Sequence, residues 1–203
     1  MTSNKVPAVI LASGSQPRAE MLSGVGVPFS VSSASVDEAT IKTSMRISGA
    51  DISTVAEVLA ATKAQQVSRK HEDDLVIGAD QMLFCDDEWY DKPVSPDDAR
   101  NHLIKLRGRT HELISAVCVV RDGAVLWHHI ERARITMRPF SDEFADEYVD
   151  KMGEKIMTTV GGYELEGLGA QLFSSVEGDY FTILGMPLLP LLDFLRGHGV
   201  ISE

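Results

Sequence analysis

The chain has 203 residues, 44% of them hydrophobic, so it is long enough to bury a core and short enough to form one domain over residues 1–203. It carries 19 Lys and Arg against 30 Asp and Glu, a formal net charge of −11 that repels the backbone of DNA or RNA. A nucleic-acid polymer is therefore excluded as the expected partner, whereas a small anionic ligand needs only a few cations placed locally.

The N-terminus does not indicate export. The apolar run over residues 6–12 is too short for the hydrophobic region of a signal peptide and far too short to span a membrane. Cys85 and Cys118 lie far apart in a chain without a CxxC pair, so neither a redox motif nor a local zinc site is suggested. We expect a cytoplasmic protein with reduced thiols and no membrane partner.

Predicted strands and helices alternate in the first half of the chain. The elements are a strand over 6–11, a helix from Pro17 to about Ser23, a strand over 29–33, a helix from Ser53 onward and a strand over 75–84. Pro17 suits the first turn of a helix because a proline lacks the N–H that this turn leaves unpaired. Lys63 lies four residues after Leu59, so it projects near the buried face of its helix.

The second half adds two predicted hairpins. The elements are a helix over 96–106, a hairpin of strands 112–120 and 125–137, a helix from Ser141 to Met152, a hairpin of segments 171–176 and 180–184, and a closing helix over 187–196. Ser95 and Pro96 form a typical helix start, with acids in the first turn. The pattern predicts an α/β or α+β fold with a mixed sheet flanked by helices.

The segment over residues 11–18 is the first candidate for a functional site. Ser13, Ser15 and Arg18 place hydroxyls, free backbone N–H groups and a guanidinium at a helix N-terminus, which is an environment that binds phosphate. The segment lacks the glycines and lysine of a Walker A motif. Taken alone, it is explained more simply as a capped helix with an exposed arginine.

Asp80 is the second candidate, because it interrupts an apolar strand. A buried carboxylate costs several kcal/mol unless it is paired, hydrogen-bonded or bound to metal. Asp80 could also lie at the exposed end of the strand and cap a loop. Considered without the other motifs, Glu38 is expected to be a solvated acid in a loop. Lys63 and Lys92, considered in the same way, are expected to be surface lysines.

Several short blocks of residues span nearly the whole chain. The blocks are Leu11-Ala12-Ser13-Gly14-Ser15 with Arg18, Glu20 and Leu22; Gly78-Ala79-Asp80; Asp91-Lys92-Pro93; Leu106-Arg107-Gly108-Arg109-Thr110-His111; Gly161-Gly162-Tyr163-Glu164-Leu165-Glu166-Gly167; Gly178-Asp179-Tyr180; and Leu184-Gly185-Met186-Pro187-Leu188. Taken together and in this order, the blocks resemble the motifs of the Maf family.

The resemblance implies an elongated twisted mixed sheet with two lobes around a central cleft, as in Maf and ITPase-like folds. It also implies a divalent cation, Mg²⁺ or Mn²⁺, and cleavage of a nucleoside triphosphate between its α and β phosphates. The positions that match the family's phosphate, metal and water sites are Ser13, Arg18, Glu38, Lys63, Asp80 and Lys92. Among these, Asp80 and Glu38 are the expected metal ligands and Asp80 the expected catalytic residue, while Ser15 is added to the substrate-binding set.

Three positions depart from the family branch that prefers dTTP and UTP. Pro17, Gln81 and Glu166 stand where that branch has Arg, Thr and Gln, and Gln81 and Glu166 match the branch that prefers 7-methyl-GTP. An anionic acceptor at Glu166 gains more from the cationic methylated guanine than from a neutral pyrimidine. Glu166 could also be a solvated loop acid beside Gly167.

The leading hypothesis is a nucleotide pyrophosphatase that removes modified or surplus nucleotides, with 7-methyl-GTP as the expected substrate. The alternatives are a dTTP- or UTP-type Maf pyrophosphatase and a non-catalytic nucleotide-binding regulator of septum formation. A binder needs cations but no water-activating carboxylate, so Asp80 with Glu38 favours the enzyme. A homodimer is an expectation from the resemblance.

Overall fold

The protein is described by a computed structural model that covers residues 7–202. Its strands are β1 (Val9–Leu11), β2 (Ser30–Val31), β3 (Leu75–Cys85), β4 (Glu88–Tyr90), β5 (Thr110–Arg121), β6 (Ala124–Met137) and β7 (Phe173–Glu177). Its α-helices are α1 (Gln16–Gly24), α2 (Glu38–Ile47), α3 (Ile52–Ser68), α4 (Pro96–Leu106), α5 (Asp142–Met152), α6 (Tyr180–Ile183) and α7 (Leu188–Gly197). Three short 3-10 segments occupy Gly153–Met157, Val160–Gly162 and Leu168–Leu172.

The strands form one mixed sheet. Six of them follow the order β2-β1-β3-β5-β6-β7, and β4 pairs with β3 off this path. β1 pairs in parallel with β2 and β3, whereas β4 pairs antiparallel with β3 and β7 antiparallel with β6. The predicted α/β class with a mixed sheet and flanking helices is confirmed.

The chain divides into two compact units, and β3, β5 and β6 contribute residues to both. Of the described residues, the first unit holds 7–80, 115–131 and 185–202. Inside this unit α3 packs closely on β3 at Gly78. A Cβ atom on Gly78 would lie 2.1 Å from the carbonyl oxygen of Ala60, so only glycine permits this approach.

The second unit comprises residues 81–114 and 132–184 and has its own hydrophobic core. Gly178 has a φ of 122°, and a Cβ there would lie 2.9 Å from the Cα and Cβ of Ala133. The segment that leads into α6 therefore packs directly against β6. The prediction of one domain over residues 1–203 stays a prediction.

Two capped helices confirm the predictions made for them. Ser95 accepts a hydrogen bond from the Asp98 N–H, 3.1 Å away, at the start of α4. Ser141 accepts one from the Phe144 N–H, 3.2 Å away, at the start of α5. The first hairpin is confirmed as β5 and β6, whereas the first residue of the strand predicted over 6–11 lies outside the described residues.

Two local predictions were wrong. Segment 180–184 does not pair with its neighbour as a hairpin, because Asp179 caps it as the short helix α6 and β7 pairs with β6 instead. Glu38 does not lie in an acidic loop; it is the first residue of α2, whose N-cap Asp37 accepts a hydrogen bond from the Thr40 N–H at 3.1 Å. Within residues 7–202, none of the helices combines the length and the apolar character needed to cross a membrane.

Candidate active site

The turn after β1 places hydroxyl and N–H groups at the start of α1. The Ala12 N–H donates to the Ile77 carbonyl at 2.8 Å, which continues the parallel pairing of β1 with β3 up to the turn. Ser13 is buried, and its Oγ accepts from the Ser15 N–H at 3.2 Å. Ser15 is the N-cap of α1 but makes no side-chain cap hydrogen bond. The side chain of Ser15 therefore does not occupy the N–H groups of the first turn. An anion site at a helix N-terminus needs such N–H groups.

Arg18 is held in place by three protein acceptors. Its Nε donates to the Gly185 carbonyl at 2.9 Å, and its Nη1 donates to the Ala79 carbonyl at 2.9 Å and to Ser13 Oγ at 3.2 Å. The alternative of a fully exposed arginine is therefore wrong. Because a guanidinium has five N–H donors and these bonds use three, the group is oriented and keeps Nη2 for a further acceptor.

Lys63 joins the two carboxylates that the motifs indicated. Its Nζ lies 2.5 Å from Asp80 Oδ1 and 2.8 Å from Glu38 Oε1. Asp80 is only 4% exposed and lies inside β3, so the alternative of a solvated loop cap is wrong. α3 supplies the lysine, α2 the glutamate and β3 the aspartate, which explains how residues far apart in sequence meet.

Burial and charge act in opposite directions on these groups. Burial raises the pKa of Asp80, and the neighbouring Lys63 and Arg18 only partly oppose it. The pKa of Glu38 is lowered: burial would raise it, but Lys63, Lys42 and Arg18 together outweigh burial. Burial lowers the pKa of Arg18 below its ordinary value, opposed by Asp80 and Glu38. The guanidinium stays charged at neutral pH because its ordinary pKa is so high.

The donor set fits a divalent cation such as Mg²⁺ or Mn²⁺. Asp80 Oδ2 is buried and has no hydrogen-bond partner among residues 7–202, and Asp80 and Glu38 already converge on one positive charge, Lys63 Nζ. In the described part of the chain, no group of three or more His, Cys, Asp and Glu side chains could hold a metal. Two carboxylates agree with the way Mg²⁺ is usually bound, through one or two carboxylates plus substrate phosphates.

Three further predicted residues lie in the second unit. Lys92 is exposed in the loop between β4 and α4, next to the buried Pro93. Glu166 is exposed in a turn closed by a hydrogen bond from the Gly167 N–H to the Glu164 carbonyl, 3.4 Å long. The turn is tight, because a Cβ on Gly169 would lie 2.3 Å from the Glu164 carbonyl oxygen.

Gln81, also in the second unit, has a fixed side chain. Its Nε2 donates to the Thr182 carbonyl at 3.1 Å and to the Ile183 carbonyl at 2.9 Å. Pro17, the remaining predicted specificity residue, lies in the first turn of α1 in the first unit and is partly exposed.

Of the predicted site residues, the structure brings six together in the first unit: Ser13, Ser15, Arg18, Glu38, Lys63 and Asp80.

Sequence reasoning missed the groups that hold these residues in place. The carbonyls of Ala79 and Gly185 orient Arg18, and those of Thr182 and Ile183 orient Gln81. Every residue has a carbonyl, so residue type gives no signal for such contacts. Lys42, 4.0 Å from Glu38 Oε2 and four residues after it on α2, could have been found from helical spacing.

A buried aspartate with partly buried cations and a second carboxylate, close to a helix N-terminus, is an arrangement suited to phosphate chemistry assisted by a metal. Residues 8–198 match the family model for Maf-like protein. This chain belongs to the Maf family.

Related proteins match over nearly their full length. The chain is 56% identical over 190 residues to a protein of Paramagnetospirillum magneticum named nucleoside triphosphate pyrophosphatase, covering 94% of this chain and 98% of the relative. It is 52% identical to a protein of the same name from Rhodospirillum rubrum, with 97% of each chain covered. A protein of Rhizobium etli named 7-methyl-GTP pyrophosphatase is 46% identical, with 97% of this chain and 98% of the relative covered.

Proposed function

We propose that this protein hydrolyses 7-methyl-GTP, or a similarly modified purine nucleoside triphosphate, to the monophosphate and pyrophosphate. The coarser activity is that of the family relatives: the chain is a nucleoside triphosphate pyrophosphatase, as are homologues with 46–56% identity over nearly its whole length. The observation that carries the chemistry is the cluster of Arg18, Lys63, Glu38 and Asp80, in which a buried oxygen of Asp80 has no hydrogen-bond partner among the described residues.

Asp80 is the proposed acceptor for the proton of the attacking water. The water oxygen forms a bond to the α phosphorus, the bond from this phosphorus to the bridging oxygen breaks, and pyrophosphate leaves with the electron pair. Because burial raises the pKa of Asp80, its carboxylate is a stronger base than an ordinary aspartate. Oδ1 is occupied by Lys63, so Oδ2 is the oxygen proposed to face the water or a metal.

Positive groups stabilise the charge that develops on the phosphates. Lys63 and Arg18 lie beside Asp80 in a buried environment where a charge interaction is stronger than in water. The N–H groups at the start of α1, with Ser13 and Ser15, are proposed to bind phosphate oxygens. Lys92 is proposed to bind the triphosphate as well, on the strength of its motif.

A divalent cation, Mg²⁺ or Mn²⁺, is proposed to bind Asp80 and Glu38. When bound, it supplies positive charge that neutralises phosphate oxygens and lowers the pKa of a coordinated water. The role of this chain is to present two hard oxygen ligands, Asp80 and Glu38, and the pKa of Glu38 is lowered by Lys63 and Lys42 beside it.

The choice of a methylated purine rests on Glu166 and Gln81. Methylation of guanine at N7 gives the base a delocalised positive charge and makes its N1–H and N2–H donors more acidic. A carboxylate that accepts both bonds gains more from this base than from a neutral pyrimidine. The absence of an arginine at Pro17 lowers the positive potential that a cationic base has to approach.

A substrate panel tests the proposal. Purified protein is incubated with Mg²⁺ and 7-methyl-GTP, GTP, dTTP or UTP, the products are separated, and kcat/KM is measured for the wild type and for Glu166→Gln. We expect monophosphate and pyrophosphate as products and a preference for 7-methyl-GTP. The variant should lose roughly 1.5–3 kcal/mol of discrimination, because a charge-assisted pair is removed.

Other outcomes point to the alternative functions. A wild type that prefers dTTP or UTP, or a variant with unchanged ratios, contradicts the assignment of 7-methyl-GTP. No turnover with any nucleotide would favour the nucleotide-binding regulator. The cytoplasm as its location and a homodimer as its state in solution belong to the same proposal, the latter tested by sedimentation.

A further inference from the structure

The side-chain amide of Gln81 can face a ligand with its oxygen only. Both N–H donors of Nε2 are directed at acceptors, the carbonyls of Thr182 and Ile183. Carbonyl oxygens accept and never donate, so the amide cannot be turned around without placing its own oxygen against two others. Whatever else Gln81 contacts, its nitrogen faces the turn of α6 and its oxygen faces away from it.

The two carbonyls belong to the C-terminal end of α6, where the last carbonyls lack the N–H groups of a continuing helix. The Thr182 carbonyl accepts from the N–H of the C-cap Leu184, and the amide of Gln81 supplies a further donor to it and a donor to the Ile183 carbonyl. Their position depends on how this four-residue helix is held. Asp179 caps it, with Oδ1 accepting from the Thr182 N–H at 3.0 Å and from the Thr182 hydroxyl at 3.5 Å.

Thr182 is fully buried, so this cap is part of the interior of the unit. Gly178, the residue directly before Asp179, fixes the start of the segment by its close packing on Ala133 of β6. A chain of direct contacts thus runs from Asp179 through Thr182 to the amide of Gln81. Each link joins residues of the second unit.

We propose that Asp179 is a positioning residue for base selection and acts by holding the α6 carbonyls that orient the Gln81 amide. The inference rests on the proposed function, in which the choice of base depends on Glu166 and Gln81. It adds that Gln81 offers the base an acceptor. Guanine carries an amino group, and its second N–H remains for Gln81 after Glu166 accepts N1–H and the first N2–H, whereas thymine and uracil carry no amino donor.

The test compares base discrimination in variants of Asp179 and in a matched control. Asp179→Ala removes the cap, Asp179→Asn retains an acceptor oxygen of nearly the same shape, and Ser141→Ala removes an equivalent cap from α5 in the same unit. For each protein, kcat/KM is measured for 7-methyl-GTP, GTP, dTTP and UTP, and folding is checked by thermal unfolding. We expect Asp179→Ala to reduce the ratio of kcat/KM for the preferred nucleotide to kcat/KM for a disfavoured one about three- to tenfold. In Asp179→Asn this ratio should return to the wild-type value. In Ser141→Ala it should not change.

A double-mutant cycle identifies the route of the effect. Gln81→Met removes the amide while keeping the length of the side chain, and adding Asp179→Ala to it should change the ratio no further. An equal loss of kcat/KM for all four nucleotides in Asp179→Ala, or full additivity with Gln81→Met, would overturn the proposal. If the wild type prefers dTTP or UTP, the proposed substrate fails, while the cycle still decides whether Asp179 acts through Gln81. If Asp179→Ala does not fold, Thr182→Val, which removes the hydroxyl contact to Asp179, takes its place in the same cycle.

Discussion

At the scale of single residues, Asp80 is an energetically unfavourable group that the fold retains, and the proposed catalysis accounts for it. A carboxylate buried to this extent costs several kcal/mol unless it is paired, and here only one of its two oxygens accepts a hydrogen bond from the described residues. The ion pair with Lys63 offsets part of this free-energy cost, and the same lysine also pairs with Glu38. The oxygen without a partner is the one that proposed catalysis requires.

Asp80→Asn should abolish turnover and leave the fold intact. The substitution is nearly isosteric but removes the charge that accepts the proton of water or holds a metal, and a general base is worth ~10²–10⁴-fold in rate. Lys63 keeps Glu38 as a partner, so the variant does not leave an unpaired ammonium. The measurement is kcat at saturating Mg²⁺ together with a thermal melt. A rate above about a tenth of the wild-type rate would show that Asp80 has another role.

Lys92→Ala should reduce the rate and weaken triphosphate binding far more than monophosphate binding. A hydrogen bond to a charged group contributes about 1.5–3 kcal/mol, so we expect a loss of about 10- to 100-fold in triphosphate affinity. Titration calorimetry with a non-hydrolysable triphosphate and with the monophosphate measures both. Lys151→Ala, which removes an exposed lysine on α5, is the control and should change neither. Equal effects on both ligands would place Lys92 outside the phosphate site.

The residue types that meet in the first unit, among them Ser13, Arg18 and Asp80, could be predicted from the sequence, but the orientation of their side chains could not. Ser13, Arg18 and Asp80 were identified because hydroxyl, guanidinium and carboxylate groups are what phosphate and metal chemistry needs. The carbonyl of Gly185, 167 positions from Arg18, could not be identified as its acceptor. Main-chain acceptors occur at every position, and only the tertiary structure decides which of them a side chain meets.

At the scale of elements, the close packing of α3 on β3 delivers Lys63 to Asp80. The contact depends on Gly78, two residues before Asp80, where a Cβ would lie 2.1 Å from the Ala60 carbonyl oxygen and 2.9 Å from the Ala64 Cβ. Ala60 and Ala64 are themselves small and fully buried. Small residues on both elements thus set the distance at which the lysine on the helix reaches the carboxylate on the strand.

Gly78→Ala should therefore impair both stability and activity. Because the added methyl group meets backbone atoms, α3 has to move away from β3, and we expect a loss of ~3 kcal/mol or more in the free energy of unfolding. Urea unfolding and kcat at saturating substrate measure the two effects. Gly197→Ala is the control: no atom lies within 4 Å of the added Cβ, and the change should stabilise α7 by up to ~1 kcal/mol. Similar stabilities for the two variants would refute this account of the packing.

The elements that could be predicted are those with a local signal. α4 and α5 begin after a serine whose side chain caps the helix, and their acidic first turns add to the signal. α6 was mistaken for a strand because Tyr180–Ile183 is aromatic and β-branched and is too short to show a helical period. Its conformation depends on the cap at Asp179 and on packing at Gly178, which involves a distant strand.

At the scale of the whole molecule, global stability depends on buried polar groups as well as on apolar area. His111 is 1% exposed, its Nε2 lies 2.6 Å from the Tyr163 hydroxyl, and its Nδ1 has no hydrogen-bond partner among residues 7–202. Both rings also lie beside Phe173 in the core of the second unit. No carboxylate pairs with His111 in the described residues, so protonation of this ring would bury an uncompensated charge.

His111 should therefore make the protein less stable as the pH falls. Burial lowers the pKa of His111 from 6.5 to about 4 in the folded protein, whereas the unfolded chain retains the ordinary value. The unfolded state therefore binds a proton first. The stability is fully present above pH 6.5, decreases as the pH falls below 6.5, and has lost about 3 kcal/mol once the pH is below 4.

Comparison with His111→Gln isolates this effect, because glutamine keeps a nitrogen near the Nε2 position and does not titrate. Other groups, including Asp80 and the carboxylates with lowered pKa, also contribute to the pH dependence, but they contribute equally to both proteins and cancel in the difference. The free energy of unfolding is measured by urea titration at pH 7, 6, 5 and 4 at constant ionic strength. We expect the wild type to lose about 3 kcal/mol relative to the variant over this range, with most of the loss between pH 6 and pH 4. A difference between the two proteins that stays constant with pH would show that His111 is protonated as readily in the folded protein as in the unfolded chain.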